Sequence, residues 1–153
     1  MNKNNFNFAA AFEKVLKKMD ILYSSDPLEN GTYFQTGPVP TGDFETCFHI
    51  YVGDDGRLCM TFRPMGRIPS EMAPGLKRHF VRTMYFASAI KIIEDSSHFA
   101  AVQYESILPA DEELVEDEFL GALACINEEY YISLSWAMQG YWNDIAKGEK
   151  ELC

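Results

Sequence analysis

The residues best able to hold a metal ion are three histidines and four cysteines, and they are scattered along the chain. They are His49, His79, His98, Cys47, Cys59, Cys125 and Cys153. A metal site needs such side chains to converge on one point, often as a CxxC pair or as two histidines one helical turn apart. Neither spacing occurs here. We therefore predict no metal site and no other cofactor, and we expect free thiols or small core cysteines in a reducing compartment.

Cys47 and His49 are the pair whose spacing best fits a nucleophile and its base. Residues two apart on a strand share a face, and the register predicted below places Arg63 opposite Cys47. A base and a positive charge are what make a thiol reactive. The same spacing also arises by chance between ordinary strand neighbours. We therefore predict a protein that is not an enzyme, with no catalytic residues.

Charged residues are segregated along the sequence. All five arginines lie in the middle of the chain, at Arg57, Arg63, Arg67, Arg78 and Arg82. From Glu94 to the C-terminus there are 14 acidic residues and two lysines. Three interpretations remain open: scattered surface charge, contact between the arginine zone and the acidic helix within one chain or across a dimer, or a patch for acidic peptides.

The composition limits the class of partner. The net charge of −10 repels nucleic acid backbones and anionic lipids. No segment offers the roughly 20 apolar residues of a membrane helix, and the N-terminus lacks the apolar stretch of a signal peptide. With 153 residues, 47% of them hydrophobic and 14% aromatic, we expect a single cytoplasmic α+β domain over residues 1–153, with neither nucleic acid nor membrane as partner.

The first third of the chain predicts a helix followed by a strand. Helical spacing over residues 6–23 gives an apolar stripe made of Phe8, Phe12, Val15, Leu16, Met19 and Tyr23. Turn residues follow at 26–27 and 30–31. Residues 32–36 predict a short strand, and the glycines and prolines of 37–42 predict a loop.

A β-hairpin is predicted over residues 44–62. Apolar residues alternate on both sides of a turn at 53–56, where Gly56 takes positive φ. This turn pairs Val52 with Leu58, Ile50 with Met60, and Phe48 with Phe62. It also places Cys59 opposite Tyr51 on the other face. That face is semi-apolar, with Cys47, His49, Tyr51, Cys59 and Thr61, so a helix or a partner is expected to cover it.

The rest of the chain predicts a helix, two strands and a further helix. The middle helix begins near Glu71 or Pro74. Residues 90–108 predict two strands around 95–97; the alternative extends the helix to Ile93 and leaves one strand.

A last helix begins near Asp111 and reaches about Asn143, with 147–153 frayed. Its predicted buried stripe is Leu114, Leu120, Leu123, Ala124, Tyr131, Leu134 and Met138. The order α-β-β-β-α-β-β-α predicts helices packed with one antiparallel sheet.

This order, read with certain residues, resembles the YbjN family, which shares the fold of type III secretion chaperones. The resemblance covers roughly residues 31–140. It depends on the strand pair 48–52 and 58–62 around Gly56, the strand 102–108, the acidic helix from Glu113, and Glu129-Tyr130-Tyr131 before Gly140. It implies a non-enzymatic, often dimeric protein linked to regulation or chaperoning, and it supplies no catalytic residues.

The main hypothesis is therefore a homodimeric, chaperone-like or regulatory module that binds a protein partner. The candidate contact residues are Tyr51, Cys59, Arg63, Phe80 and Tyr85. The alternative is a small-molecule sensor with a pocket between sheet and helices, lined by Phe48, Phe62 and Trp136.

Overall fold

The computed structural model describes residues 5–62, 90–94 and 100–151. Its elements are α1 (Phe8–Lys18), β1 (Tyr23–Leu28), β2 (Gly31–Thr41), β3 (Phe44–Gly53), β4 (Arg57–Phe62), β5 (Ile90–Glu94), β6 (Ala100–Ile107) and α2 (Glu112–Glu151). The strands form one antiparallel sheet in the order β1-β2-β3-β4-β6-β5. The predicted α+β class is confirmed. The helix predicted from residue 71 or 74 lies outside the described residues.

The first helix is shorter than the predicted 6–23. The Asn7 side chain accepts a hydrogen bond from the Ala10 N–H and caps its start. The helix stops at Lys18 because Asp20 adopts a left-handed φ of 56°. The Ile21 N–H then donates to the Leu16 carbonyl at 3.0 Å, which closes the last turn. The chain is thereby turned into β1.

Strand β1 was missed by the sequence prediction, which assigned Asp26 and Pro27 to a turn. Both residues pair with β2 instead, Asp26 with Tyr33 and Pro27 with Thr32. The strand lies at an edge of the sheet, and all its residues after Tyr23 are exposed. Proline is tolerated there because one side of an edge strand has no ladder hydrogen bonds to make.

The loop predicted at 37–42 is also wrong. Strand β2 continues to Thr41, with a β-bulge between Gln35 and Pro38. The bulge absorbs the glycine and the first proline without ending the strand. Val39 is fully buried beyond it, and the Thr36 hydroxyl accepts a hydrogen bond from the Phe48 N–H.

The central hairpin is confirmed. Strands β3 and β4 pair Val52 with Leu58 and Ile50 with Met60. Gly56 has a φ of 93°, and its N–H donates to the Gly53 carbonyl at 3.0 Å. The agreement of turn and apolar pattern therefore fixed the register, as expected.

Strands β5 and β6 confirm the favoured reading of residues 90–108. They pair antiparallel, with Ile92 opposite Val102. The alternative, in which a helix extends to Ile93, is wrong. Strand β6 also pairs with β4, so it lies between β4 and β5 in the sheet.

The last helix is longer than the sequence predicted. It runs to Glu151, past the predicted end at Asn143 and through much of the segment predicted to fray. The Asp111 carboxylate accepts hydrogen bonds from the Glu113 and Leu114 N–H groups at its start. Its core-facing residues are Val115, Phe119, Ala122, Leu123, Ile126 and Tyr130. Of the predicted stripe, Leu123 is buried as predicted, whereas Leu114, Leu120, Ala124 and Met138 are exposed. The side chains of its other members, Tyr131 and Leu134, lie outside the described ones. The predicted stripe was therefore largely misplaced around the helix.

One core lies between the sheet and the helices α1 and α2. The fully buried ring of Phe12 packs edge-on against Phe119 of α2 at a centroid distance of 5.2 Å. It also lies 5.4 Å from Phe34 of β2. Phe12 thus joins both helices to the sheet.

Candidate functional site

The sheet presents one face to the helices and a second face that carries the candidate site. We call the central part of this second face the outer sheet face. It comprises Tyr33, Gln35, Cys47, His49, Tyr51, Cys59, Thr61, Gln103 and Glu105. These residues alternate with core residues such as Phe48 and Ile50, so the pleat alone puts them on the opposite side.

The strand register arranges most of these side chains in two rows. One row crosses four strands as Tyr33, Tyr51, Cys59 and Glu105. The second row is Gln35, His49, Thr61 and Gln103. The predicted neighbours Tyr51 and Cys59 are brought together. The other predicted contacts, Arg63, Phe80 and Tyr85, lie outside the described residues.

Hydrogen bonds hold several of these side chains in place. The Tyr33 hydroxyl and His49 Nδ1 share a hydrogen bond, and their rings stack at an interplanar angle of 26°. The Tyr51 hydroxyl donates to the Asn30 carbonyl at 3.0 Å. Gln103 Nε2 donates to Glu105 Oε1 at 2.5 Å. Side chains fixed in this way lose little conformational entropy when a partner binds.

The outer sheet face is poor in charge. Of its nine side chains only Glu105 is charged, although charged residues make up 24% of the chain. Charged positions surround this central part: the first row continues to Asp26 on β1 and the second to Lys91 on β5. Glu45 and Arg57 alternate onto the same side at opposite ends of the β3–β4 pair, beyond the two rows. The central part of a protein interface is typically depleted in charge and enriched in tyrosine, with a polar rim. This face has these properties.

The predicted nucleophile–base pair has a different arrangement. Cys47 is exposed and pairs with Pro38 across the strands. The His49 ring hydrogen-bonds to Tyr33 through Nδ1. Arg63, the predicted positive neighbour of Cys47, lies outside the described residues. Within the part of the chain that the structure describes, no three His, Cys, Asp or Glu side chains are grouped to hold a metal ion.

Two of the three predicted pocket residues come together, and the third does not. Phe48 and Phe62 are buried in the core, where their rings lie 5.3 Å apart. Trp136 is 59% exposed on α2 and does not join them. Tyr130 packs against Phe62 instead, and burial raises the pKa of its hydroxyl.

A cavity of about 490 Å³ lies elsewhere, at the turn between β3 and β4. Its lining includes none of the three predicted pocket residues. It consists of Phe8, Asp54, Asp55, Ile107, Leu108, Pro109, Ala110 and Glu118.

The acidic start of α2 contacts the lysines of α1. Lys14 pairs with Glu112 and Lys18 with Glu116, each at 2.8 Å. The hydrogen bond to Glu116 raises the pKa of Lys18. Both lysines are about two-thirds exposed, so these pairs add little stability. Of the arginine zone only Arg57 lies in the described residues, so contact between that zone and α2 stays a hypothesis.

A second surface was missed because the buried stripe of α2 was assigned to the wrong side. Leu120, Ala124, Met138 and Trp142 are exposed and form what we call the outer stripe of α2. A helical period counted from Val115 rather than from Leu114 would have found it, since Val115, Phe119, Ala122 and Ile126 then share the core side.

The fold and these surfaces define the class of the molecule as an α+β protein whose described strands form a single antiparallel sheet. Comparisons with family models, curated proteins and solved structures found no match. Among the helices in the described ranges, none is both long and apolar enough to cross a membrane.

Proposed function

We propose that this chain is a non-enzymatic module that binds a protein partner through the outer sheet face and works as a homodimer. The observation that carries the proposal is the composition of that face, nine side chains across four strands with Glu105 as the only charge among them. The YbjN resemblance of the sequence supports a chaperone-like or regulatory role in the cytoplasm.

The geometry favours a broad, flat partner surface. The two rows span β2, β3, β4 and β6, and strands lie about 4.8 Å apart, so the rows extend over roughly 15 Å. Tyr33 and Tyr51 offer large, preoriented rings, whereas Gln35 and Gln103 offer amide donors and acceptors. A flat protein surface fits this arrangement better than a small ligand, which needs a concave site.

A pair of matched variants tests the proposal. Gln35→Lys places a charge inside the outer sheet face, whereas Ser25→Lys places the same charge at an exposed position of β1 whose register partner is the buried Phe34, away from that face. The immobilised wild-type chain is expected to retain a protein from an extract of its native cell. We expect Gln35→Lys to reduce retention about tenfold or more, since a charge desolvated without a partner opposes binding, and Ser25→Lys to leave it unchanged. Equal retention by all three proteins, or no retention by the wild type, would overturn the proposal.

A further inference from the structure

The outer stripe of α2 is apolar and turned away from the molecule's own core. Leu120, Met138 and Trp142 are 44%, 38% and 54% exposed, and Ala124 is exposed between them. At about 100° per residue, these four positions fall within roughly 40° of one another around the helix. The core-facing Ile126 lies well outside that sector.

The spacing of the stripe is symmetric about a single point. Leu120 and Trp142 are each 11 positions from residue 131, and Ala124 and Met138 are each 7 positions from it. A pattern that reads the same from either end is complementary to itself when two helices run antiparallel. In an antiparallel two-fold contact residue i meets j and j meets i, so this spacing brings each position of the stripe opposite another position of the stripe.

We propose that a second copy of this chain packs antiparallel along the outer stripe of α2, with the two-fold axis at position 131. Leu120 then meets Trp142 of the other copy, and the small Ala124 meets the larger Met138. Alternation of small and large side chains lets two helices approach closely. This inference rests on the homodimer of the proposed function and names its contact surface.

The charge along α2 sets the direction of packing. Six acidic residues lie in 111–118, and none of residues 130–143 is charged. Parallel packing would place the six acids of one copy beside the six of the other, which is unfavourable. Antiparallel packing places them beside residues 144–151, which hold three acids and two lysines. Between Leu120 and Trp142, which bound the contact, the charged residues are Glu128 and Glu129.

Opposite charges introduced at two positions of the outer stripe distinguish antiparallel from parallel packing of the two helices. Met138→Glu and Ala124→Lys each place an unpaired charge in the contact, so each is expected to weaken dimerisation about tenfold or more. In the double variant each new carboxylate meets the new ammonium group of the other copy, and the dissociation constant is expected to return most of the way to the wild-type value. The two positions are about 21 Å apart within one helix, so they cannot pair in the same chain.

Sedimentation equilibrium measures the dissociation constants. Ile107→Lys, at a position 77% exposed on β6, is the matched control and is expected to leave dimerisation unchanged. Both substituted α2 positions are exposed, so circular dichroism is expected to show a native fold in each variant. A double variant weaker than either single variant would indicate parallel packing and overturn the inference.

The failure of the inference can be separated from that of the proposed function. A wild-type dimer that none of the α2 variants weakens would refute this contact and leave the homodimer standing. A wild-type monomer would refute both the contact and the homodimer. The retention test with Gln35→Lys decides separately whether the outer sheet face binds a partner.

Discussion

The ring of Tyr51 on β3 lies directly over Gly31 on β2. A Cβ atom at Gly31 would come within 2.8 Å of Tyr51 Cε2 and within 2.5 Å of the Val52 carbonyl oxygen. The contact with Val52 is to backbone, so a rotation of the tyrosine alone cannot relieve it. Gly31 therefore allows Tyr51 to lie flat on the outer sheet face, with its hydroxyl bonded to Asn30.

Gly31→Ala is expected to lower the free energy of unfolding by about 1–3 kcal/mol, because the added methyl group must displace backbone. The matched control is Gly121→Ala on α2, where a Cβ atom meets nothing within 4 Å. That substitution is expected to stabilise the protein by about 0.5–1 kcal/mol through helix propensity. Urea unfolding measures both, and changes of the same sign would contradict the argument.

Gly56→Ala is expected to destabilise the protein for a different reason. Its φ of 93° is disfavoured for residues with a side chain, and a Cβ atom would lie 3.0 Å from the Phe8 ring and 3.1 Å from the Leu108 carbonyl. We expect a loss of about 1–3 kcal/mol, measured by thermal unfolding. Gly56→Asn, which tolerates positive φ better, should lose less if strain dominates. An equal loss would point to the close contacts instead.

The contact between Phe12 and Phe119 can be measured by a double-mutant cycle. Phe12→Leu and Phe119→Leu should each destabilise the protein, and the double variant should lose less than the sum by about 0.5–1.5 kcal/mol. The control cycle combines Phe12→Leu with Phe48→Leu, because the Phe48 ring packs against Phe62 rather than against Phe12. Additive losses in both cycles would show that the edge-on geometry contributes nothing beyond buried area.

Tyr23 should ionise at unusually high pH. Its hydroxyl donates to Glu13 at 2.6 Å, and this hydrogen bond, together with desolvation and the charge of Glu13, raises the pKa of Tyr23 to about 12. The folded state holds the proton more tightly than the unfolded state, whose pKa is near 10. The stabilising effect is therefore complete below pH 10 and is lost as the pH rises to about 12.

Ultraviolet titration of the wild type and of Tyr23→Phe isolates this tyrosine by difference. Glu13→Gln should move the transition back toward pH 10, because the carboxylate acceptor is gone. If Tyr23 of the wild type ionised near pH 10, its pKa would not be raised, and the proposed effect of the hydrogen bond to Glu13 would be refuted.

Where two independent signals agreed, the sequence predicted the fold correctly. Gly56 and the alternation of the apolar Ile50 and Val52 with Tyr51 predicted the same register, and the structure has it. Predictions based on composition alone failed. Pro27 and Pro38 suggested a turn and a loop, but an edge position and a bulge accommodate them within strands.

The candidate site was predictable only in part. Alternation placed Tyr51 and Cys59 on one face, because strand pairs are set by local register. Tyr33 joins them from a strand whose extent had been misjudged, and its contact with His49 depends on pairing between β2 and β3. The outer stripe of α2 was not predicted. Leucines occur on both sides of this helix, so hydrophobicity alone did not indicate which side packs against the sheet.

The exposed edge strand β1 limits how copies of this chain can assemble. A continuous sheet shared by many molecules grows only if each copy offers both of its edges to a neighbour. Asp26 places a carboxylate on the β1 edge, and Pro27 has no N–H to donate there. Pairing of the β1 edge with a strand of another copy is therefore disfavoured, and so is the continuous growth of a shared sheet through this edge.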